Sequence, residues 1–466
     1  MVIGRLGRGI GRFATELVTD AGQVADRALD RHLRLAVTGL RRSGKTVFIT
    51  SLVHHLLDGG GLPFLQAVHD ERYLGARLLP PGDGEAFPYE PFHAALSGPE
   101  PFWPEATERL SRLRLELRFR TANRVLRNIQ PIQRLEVEII DYPGEWLLDL
   151  PLLEASFESF SDDALRHAAR DPRAGLARPW LERVTALDQA APADRELLAG
   201  LAAEYRRYLR RCQDELGMSL VQPGRFTNPG ELEGSELLEF CPLPPGEGPP
   251  GSLRDLAVRR FDRYRRKVVR RFYEEHFSRF DRQVVLVDLL ASLNLGPAHF
   301  ADTQEALGLI LQSFRYGSGG ILQRLFAPRI DRLLFAASKA DHVAPSQHPA
   351  LKQLLERLVA PAAHGARLEG VLPEVMALAS LRSTDVVRTE HHGQALSCVR
   401  GRLKDEPRET VLFPGEVPPD PPGPEEWRAD RFRFKAFAPR RLRRAQAAQH
   451  IRLDQALEFL LGDKLR

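Results

Sequence analysis

The sequence predicts an α/β fold: a mostly parallel sheet with helices on both faces, a large helical insertion, and a C-terminal extension. Three observations predict it. Strand-like segments recur at 33–39 (LRLAVTG), 113–119 (LRLELRF), 135–141 (LEVEIID), 283–290 (QVVLVDLL), 332–338 (RLLFAAS) and 375–380 (VMALAS). Four of them are nearly continuous apolar runs, as strands buried on both faces of a parallel sheet are. The first strand runs into GLRRSGKT and then into a helical pattern, VFITSLVHHLL. Between 151 and 280 the apolar spacing is helical and no strand interrupts it.

In chain order, residues 1–32 read as an N-terminal helical segment. Ile3, Leu6, Ile10, Phe13 and Leu17 follow helical spacing. Gly4, Gly7, Gly9 and Gly11 each weaken such a helix by roughly 1 kcal/mol. A helix packed on the domain is favoured, and a peripheral membrane-surface helix is the alternative. Residues 33–150 form the first part of the α/β domain, in which 113–119 and 135–141 alternate as an edge strand and its neighbour. Residues 151–280 form the insertion. Its best-marked helix begins at Ser252 and Asp255, a capping box, with Leu253, Phe261, Tyr264, Val268 and Phe272 along one face. Its arginines read as a solvated face beside Glu274 and Glu275. Residues 281–404 complete the α/β domain. Residues 405–466 add a strand pattern, RFRFKAF (431–437), and an amphipathic helix carrying Leu453, Leu457, Leu460 and Leu461.

Composition narrows the function classes. A chain of 466 residues, 43% hydrophobic, is long enough for two or three domains. Its 66 basic residues nearly balance 62 acidic ones, so a net charge of +4 gives no reason to expect nucleic acid. Cys212, Cys241 and Cys398 are far apart and odd in number, which fits a reducing compartment and neither a disulfide framework nor a zinc site. No apolar run approaches the roughly 20 residues of a membrane span.

The chemistry lies in three loops. Gly39-Leu-Arg-Arg-Ser-Gly44-Lys45-Thr46 fits G-x-x-x-x-G-K-[ST] in full, with the strand and helix such a phosphate loop requires. Its glycines let successive N–H groups turn inward around a β-phosphate, and the following helix adds its positive N-terminal end. Lys45 neutralises β- and γ-oxygens, and the Thr46 hydroxyl ligates Mg²⁺. Gly39, Arg42, Ser43, Gly44, Lys45, Thr46 and Val47 are the candidate nucleotide contacts here. The second loop, Asp141-Tyr-Pro-Gly144, ends a strand. There Asp141 can hold Mg²⁺ through water, and the Gly144 N–H can reach a γ-phosphate. The third, Ser338-Lys339-Ala340-Asp341, resembles the [N/T]KxD guanine-recognition motif of G domains. An aspartate there accepts from guanine N1–H and N2–H₂, and adenine offers no such donor pair. Ser338 in place of Asn or Thr departs from the pattern and bears on affinity and base choice. Ser380 and Leu381 are candidates for the last base-contacting loop. Thr107 is the candidate Mg²⁺-binding switch threonine, with Thr121 the poorer choice. The Pro- and Gly-rich segment 59–106 is too long for an inert connector and reads as a mobile lid. Together these loops specify a P-loop NTPase of the Ras-like G-domain type.

With these residues in place, the chain resembles the bacterial YcjX-like family of stress-associated P-loop NTPases. The resemblance rests on RLAVTGLxRSGKT, FWPEAT, IIDYPGEW, SLVQPGRF, SKADHV and the closing HIRLDQALEFLLGDKLR, and runs nearly end to end. It implies a G domain with a helical insertion that binds GTP or GDP with Mg²⁺. It also implies a cytoplasmic protein acting near the inner membrane, with a membrane-protein partner, in envelope stress.

Small G domains place glutamine after DxxG to orient the attacking water. Glu145 stands there instead, and an ionised carboxylate is ill suited beside an anionic γ-phosphate. A cationic finger offsets charge developing between the β- and γ-phosphates and is worth roughly 10³ to 10⁵ in rate. GLxRxGK also resembles the phosphate loop of guanylate-binding proteins and atlastins, where the matching arginine acts in cis. This singles out Arg42 over Arg41. Arg42, Lys45, Gly144 and Glu145 are therefore the candidate catalytic residues. A GTPase switch is the leading expectation. An ATPase of the same fold and a nucleotide-bound scaffold with little hydrolysis are the alternatives.

Overall fold

The computed structural model describes residues 32–466 apart from 106–108, 124–125, 314–329, 369, 392–393, 405, 429–430 and 445–448. The expected N-terminal helix and Thr107 lie outside the described residues.

Strand β1 (His32–Gly39) shows why the sheet is buried on both faces. Leu33, Leu35 and Val37 point into one core, and Ala36 points into the other. β5 (Arg282–Val287) repeats this, with Val284 and Leu286 on the first side and Val285 and Val287 on the second. β6 (Arg332–Ala337) and β7 (Leu372–Ala377) continue the parallel array on one side of β1. On the other side β4 (Ile132–Asp141) runs parallel to β1, pairing Asp141 with Val37. β3 (Ser111–Arg120) then runs antiparallel to β4, and β2 (Tyr73–Leu78) antiparallel to β3. The seven strands thus lie in the order β2-β3-β4-β1-β5-β6-β7.

Helix α1 (Lys45–Asp58) and the last helix, α10 (Leu453–Leu461), cover the first face. Phe48, Ile49, Leu52, Val53 and Leu56 of α1 are buried there with Leu453, Leu457, Leu460 and Leu461 of α10. α1 ends at Gly59, whose φ of 69° and N–H bond to the His55 carbonyl close it. On the second face lie α7 (Leu289–Leu295), α8 (Pro297–Gln312), α9 (His348–Leu368) and the insertion. The insertion contributes α3 (Phe157–Ala168), α4 (Ala174–Thr185), α5 (Arg195–Asp214) and α6 (Leu253–Tyr264). α6 is capped by Ser252, which accepts from the Asp255 N–H, and runs on through a π turn at Arg265–Val269 to Glu275. Two of its exposed arginines pair locally: Arg259 with Asp255, and Arg271 with Glu275.

Each of the six strands read from sequence overlaps a strand of this sheet, with instructive differences. The run 283–290 stops being a strand at Val287, because the Asp288 carboxylate accepts the Ala291 N–H and starts α7. β3 is not the edge. The edge is β2, hidden in the segment 59–106, where Gly75 at φ 116° and a shift of register break the alternation. The same segment carries helix α2 (Tyr89–Ser97). A second, antiparallel sheet of β8 (Asp385–His391), β9 (Gln394–Arg402) and β10 (Glu409–Leu412) also had no clear signature. The expected strand at 431–437 does not form. Phe432 and Phe434 bury themselves at alternate positions, but the Asn294 side chain binds both the N–H and the carbonyl of Phe434. Only an isolated bridge, Leu403 to Phe437, remains.

Candidate nucleotide site

Gly39 ends β1 under tight packing: a Cβ there would lie 2.4 Å from Ser43 Oγ and 2.6 Å from the Leu286 carbonyl oxygen. The chain then turns through Arg42, at φ 61°, and Gly44, at φ 90°, into α1. The Ser43 N–H donates to the Leu40 carbonyl, and Phe48 N–H to that of Gly44. Lys45 Nζ lies 3.5 Å from the Gly39 carbonyl oxygen, folded back over the loop. Ser43 and Thr46 are buried.

Opposite this loop, β6 ends at Ala337. Ser338 Oγ donates to the Val287 carbonyl, so this residue ties its loop to β5 and not to the phosphate loop. Lys339 adopts φ 60° and its ammonium pairs with Asp288. Four non-glycine residues among those described have positive φ, and two of them, Arg42 and Lys339, line this cleft. Backbone strain held in place at two points of one cavity is a mark of a functional site. Asp341 is buried, with Oδ2 accepting from Ser383 N–H (2.7 Å) and Ser383 Oγ (2.5 Å). The Thr384 hydroxyl donates to the Asp341 carbonyl. The Asp341 carboxylate is thus fixed before any ligand arrives.

These elements enclose one cavity of about 840 Å³, ample for a nucleotide. Arg42, Ser43, Gly44, Lys45, Thr46 and Val47 line one side, and Ser338, Lys339, Asp341, Ser380 and Leu381 another. The remaining wall includes Phe102–Pro104, the start of FWPEAT, and residues that belong to no motif. It consists of Pro101–Pro104, Arg402 and Lys404 at the end of β9, and Ala436–Pro439. Trp103 Nε1 donates to the Phe437 carbonyl, and Phe437 packs edge-on against His342. Burial holds the His342 imidazole below its ordinary pKa. Arg42 forms no ion pair among the described residues, whereas Arg41 pairs with Asp214 of the insertion.

Gly39, Asp141, Gly144 and Glu145 are not part of this lining. Asp141 is buried at the end of β4, one strand from the end of β1. Gly144 packs on Gly39, and a Cβ there would lie 2.3 Å from its carbonyl oxygen. Glu145 is buried against the insertion, where Gln213 Nε2 donates to its Oε1 at 3.0 Å. Thr121 is excluded as a metal ligand by topology. β3 is antiparallel to β4, with Ser111 opposite Asp141, so Thr121 lies about 30 Å along the sheet from that end.

Beyond Gly144 the chain enters a 3₁₀ segment, Gly144–Leu153, that the insertion holds at several points. Asp149 accepts from the Gly224 N–H (2.7 Å), the Arg225 N–H (3.2 Å) and the Tyr264 hydroxyl (2.6 Å). Burial raises its pKa to about 6 despite these bonds. The Arg225 guanidinium lies 3.2 Å over the Trp146 ring, and Trp146 Nε1 donates to the Asn228 carbonyl. Ser383, Asp288, Gln213 and Asp214 escaped the sequence reading because each acts through a contact distant in sequence.

The profile of the YcjX-like family, DUF463, matches residues 33–465. A protein of Escherichia coli (strain K12) named Ras-like GTPase YcjX is 42% identical over 468 aligned residues, covering 97% of this chain and 99% of its own. A protein of Shewanella oneidensis with the same name is 39% identical over 478, covering 94% and 96%.

Proposed function

The chain belongs to the YcjX-like family, and on that premise we propose that it is a guanine-nucleotide switch that hydrolyses GTP to GDP and phosphate. One observation carries the choice of base. Asp341 shares a cavity with the phosphate loop, and its carboxylate is held by two donors from Ser383. A fixed acceptor of this kind matches the paired N1–H and N2–H₂ donors of guanine and is left unpaired by adenine.

In this reading Lys45 and Arg42 face the polyphosphate from the loop, and Arg42 supplies the charge that stabilises the transition state. Gly144 offers its N–H to the γ-phosphate. Thr46 and Asp141 are hard oxygen donors at the phosphate end of the sheet, the set Mg²⁺ takes when phosphate oxygens and water complete its shell. Bound there, Mg²⁺ would neutralise β- and γ-oxygen charge. Among the described residues no three His, Cys, Asp or Glu side chains are placed to hold a metal on their own, so the ion would come with the nucleotide. The work at the inner membrane, with a membrane-protein partner in stress, is supported by the family resemblance. No described helix is long and apolar enough to cross a membrane.

Asp341→Asn tests the reading. It is expected to weaken GDP binding by at least about a hundredfold and to gain affinity for xanthosine diphosphate, whose base offers an acceptor where guanine offers a donor. An unchanged preference would return the ATPase alternative.

A further inference from the structure

The phosphate loop and the segment after DYPG are joined in a closed circuit through the insertion. Gly39 packs on Gly144, and Glu145 follows. The Glu145 carbonyl is pressed against Gly224 of the insertion, where a Cβ would lie 1.9 Å away. The Glu145 carboxylate accepts from Gln213, and the next residue, Asp214, pairs with Arg41, back in the phosphate loop. Gln213 and Asp214 are the last two residues of α5. The end of one insertion helix therefore holds both Arg41 of the phosphate loop and Glu145, the residue that follows DYPG.

The two contacts differ in kind. Gln213 and Glu145 are both buried. Arg41 and Asp214 keep 37% and 59% of their side chains exposed, so their attraction is weak. Arg41 also lines the nucleotide cavity. Its Nη1 donates to Asp214, and a triphosphate, the stronger claimant, competes for that nitrogen when it draws the guanidinium into the cavity.

Resting on the switch reading above, we propose that Gln213 and Asp214 form a latch through which the insertion reads the γ-phosphate. Asp214 holds Arg41 until a triphosphate draws it away, which frees Asp214 at the end of α5. Gln213 keeps the Glu145 carboxylate turned into the insertion, away from the anionic phosphate. Both are positioning residues. Because coupling between two sites is reciprocal, any partner that pulls α5 from Arg41 also favours the triphosphate state.

The test is the ratio of affinities for a fluorescent non-hydrolysable GTP analogue and fluorescent GDP, measured on the full chain. Asp214→Asn is expected to raise the preference for the triphosphate about threefold to fivefold. In an Arg41→Ala background the same change should do nothing further. Gln213→Ala is expected to lower triphosphate affinity at least about threefold with GDP affinity unchanged, and adding Glu145→Gln should restore it. Unfolding temperatures of the variants establish that all are folded. A ratio equal in every variant, or an Asp214 effect that survives removal of Arg41, overturns the latch. A wild-type chain that does not prefer GDP over ADP overturns the switch reading itself, whatever the variants do.

Discussion

Gly144 lies so close to Gly39 that a Cβ on it would meet the Gly39 carbonyl oxygen at 2.3 Å. The loop that would sense a γ-phosphate is thereby seated directly on the strand that carries the phosphate loop. Neither backbone can retreat cheaply, because Gly39 is itself wedged against Ser43 and Leu286.

Gly144→Ala should accordingly cost about 1–3 kcal/mol of stability through overpacking. It should also abolish the difference in affinity between GTP analogue and GDP. Chemical denaturation and nucleotide titration check the two parts, and a variant as stable as the wild type would contradict the contact.

Arg42 is the loop arginine that has no ion pair among the described residues, held at φ 61° on the cavity wall. Arg42→Ala is expected to slow single-turnover GTP hydrolysis by about 10³-fold or more while GDP affinity changes by no more than about threefold. An unchanged rate would rule out the finger, and lost affinity alone would make Arg42 a binding residue.

Ser383 supplies both donors to Asp341 Oδ2. Ser383→Ala removes the hydroxyl and leaves the N–H, a loss of about 1 kcal/mol. GDP affinity should fall about fivefold, and discrimination against ADP should narrow. Equal losses for both nucleotides would show that Ser383 supports the fold and not base choice.

Stability should fall in mild acid. Burial lowers the pKa of His55 and of His276 from 6.5 to about 4. In each case the unfolded chain takes up a proton that the folded chain refuses, so stability is lost as pH falls from 6.5 towards 4, on the order of 3 kcal/mol per residue. Asp149 acts in the opposite sense. With its pKa raised from 3.8 to about 6, it favours the folded state more as pH falls through that window. Two histidines outweigh one carboxyl, so the unfolding temperature should drop between pH 7 and pH 5. A flat profile would contradict the neutral, buried imidazoles.

The parts legible in sequence are those written locally. β1, β5 and β6 are apolar runs because both faces of each are buried, and GLRRSGKT, DYPG and SKAD sit where those strands and β4 end. β2 was hidden because Gly75 interrupts its alternation, and 431–437 misled because Phe432 and Phe434 alternate without a ladder partner. The wall formed by Arg402, Lys404 and Phe437 has no pattern, since it joins the end of β9 to a distant segment that forms no strand. The pairing of Arg41 with Asp214, 173 residues apart, was equally invisible. It separates the two loop arginines: Arg41 is tied to the insertion, and Arg42 has no ion pair among the described residues.

The central claim, a guanine-nucleotide site built on Asp341, is tested most directly by competitive titration of the purified chain with GDP and ADP in the presence of Mg²⁺. The account predicts a preference for GDP of about a hundredfold or more. Equal affinities, or a preference for ADP, would contradict it.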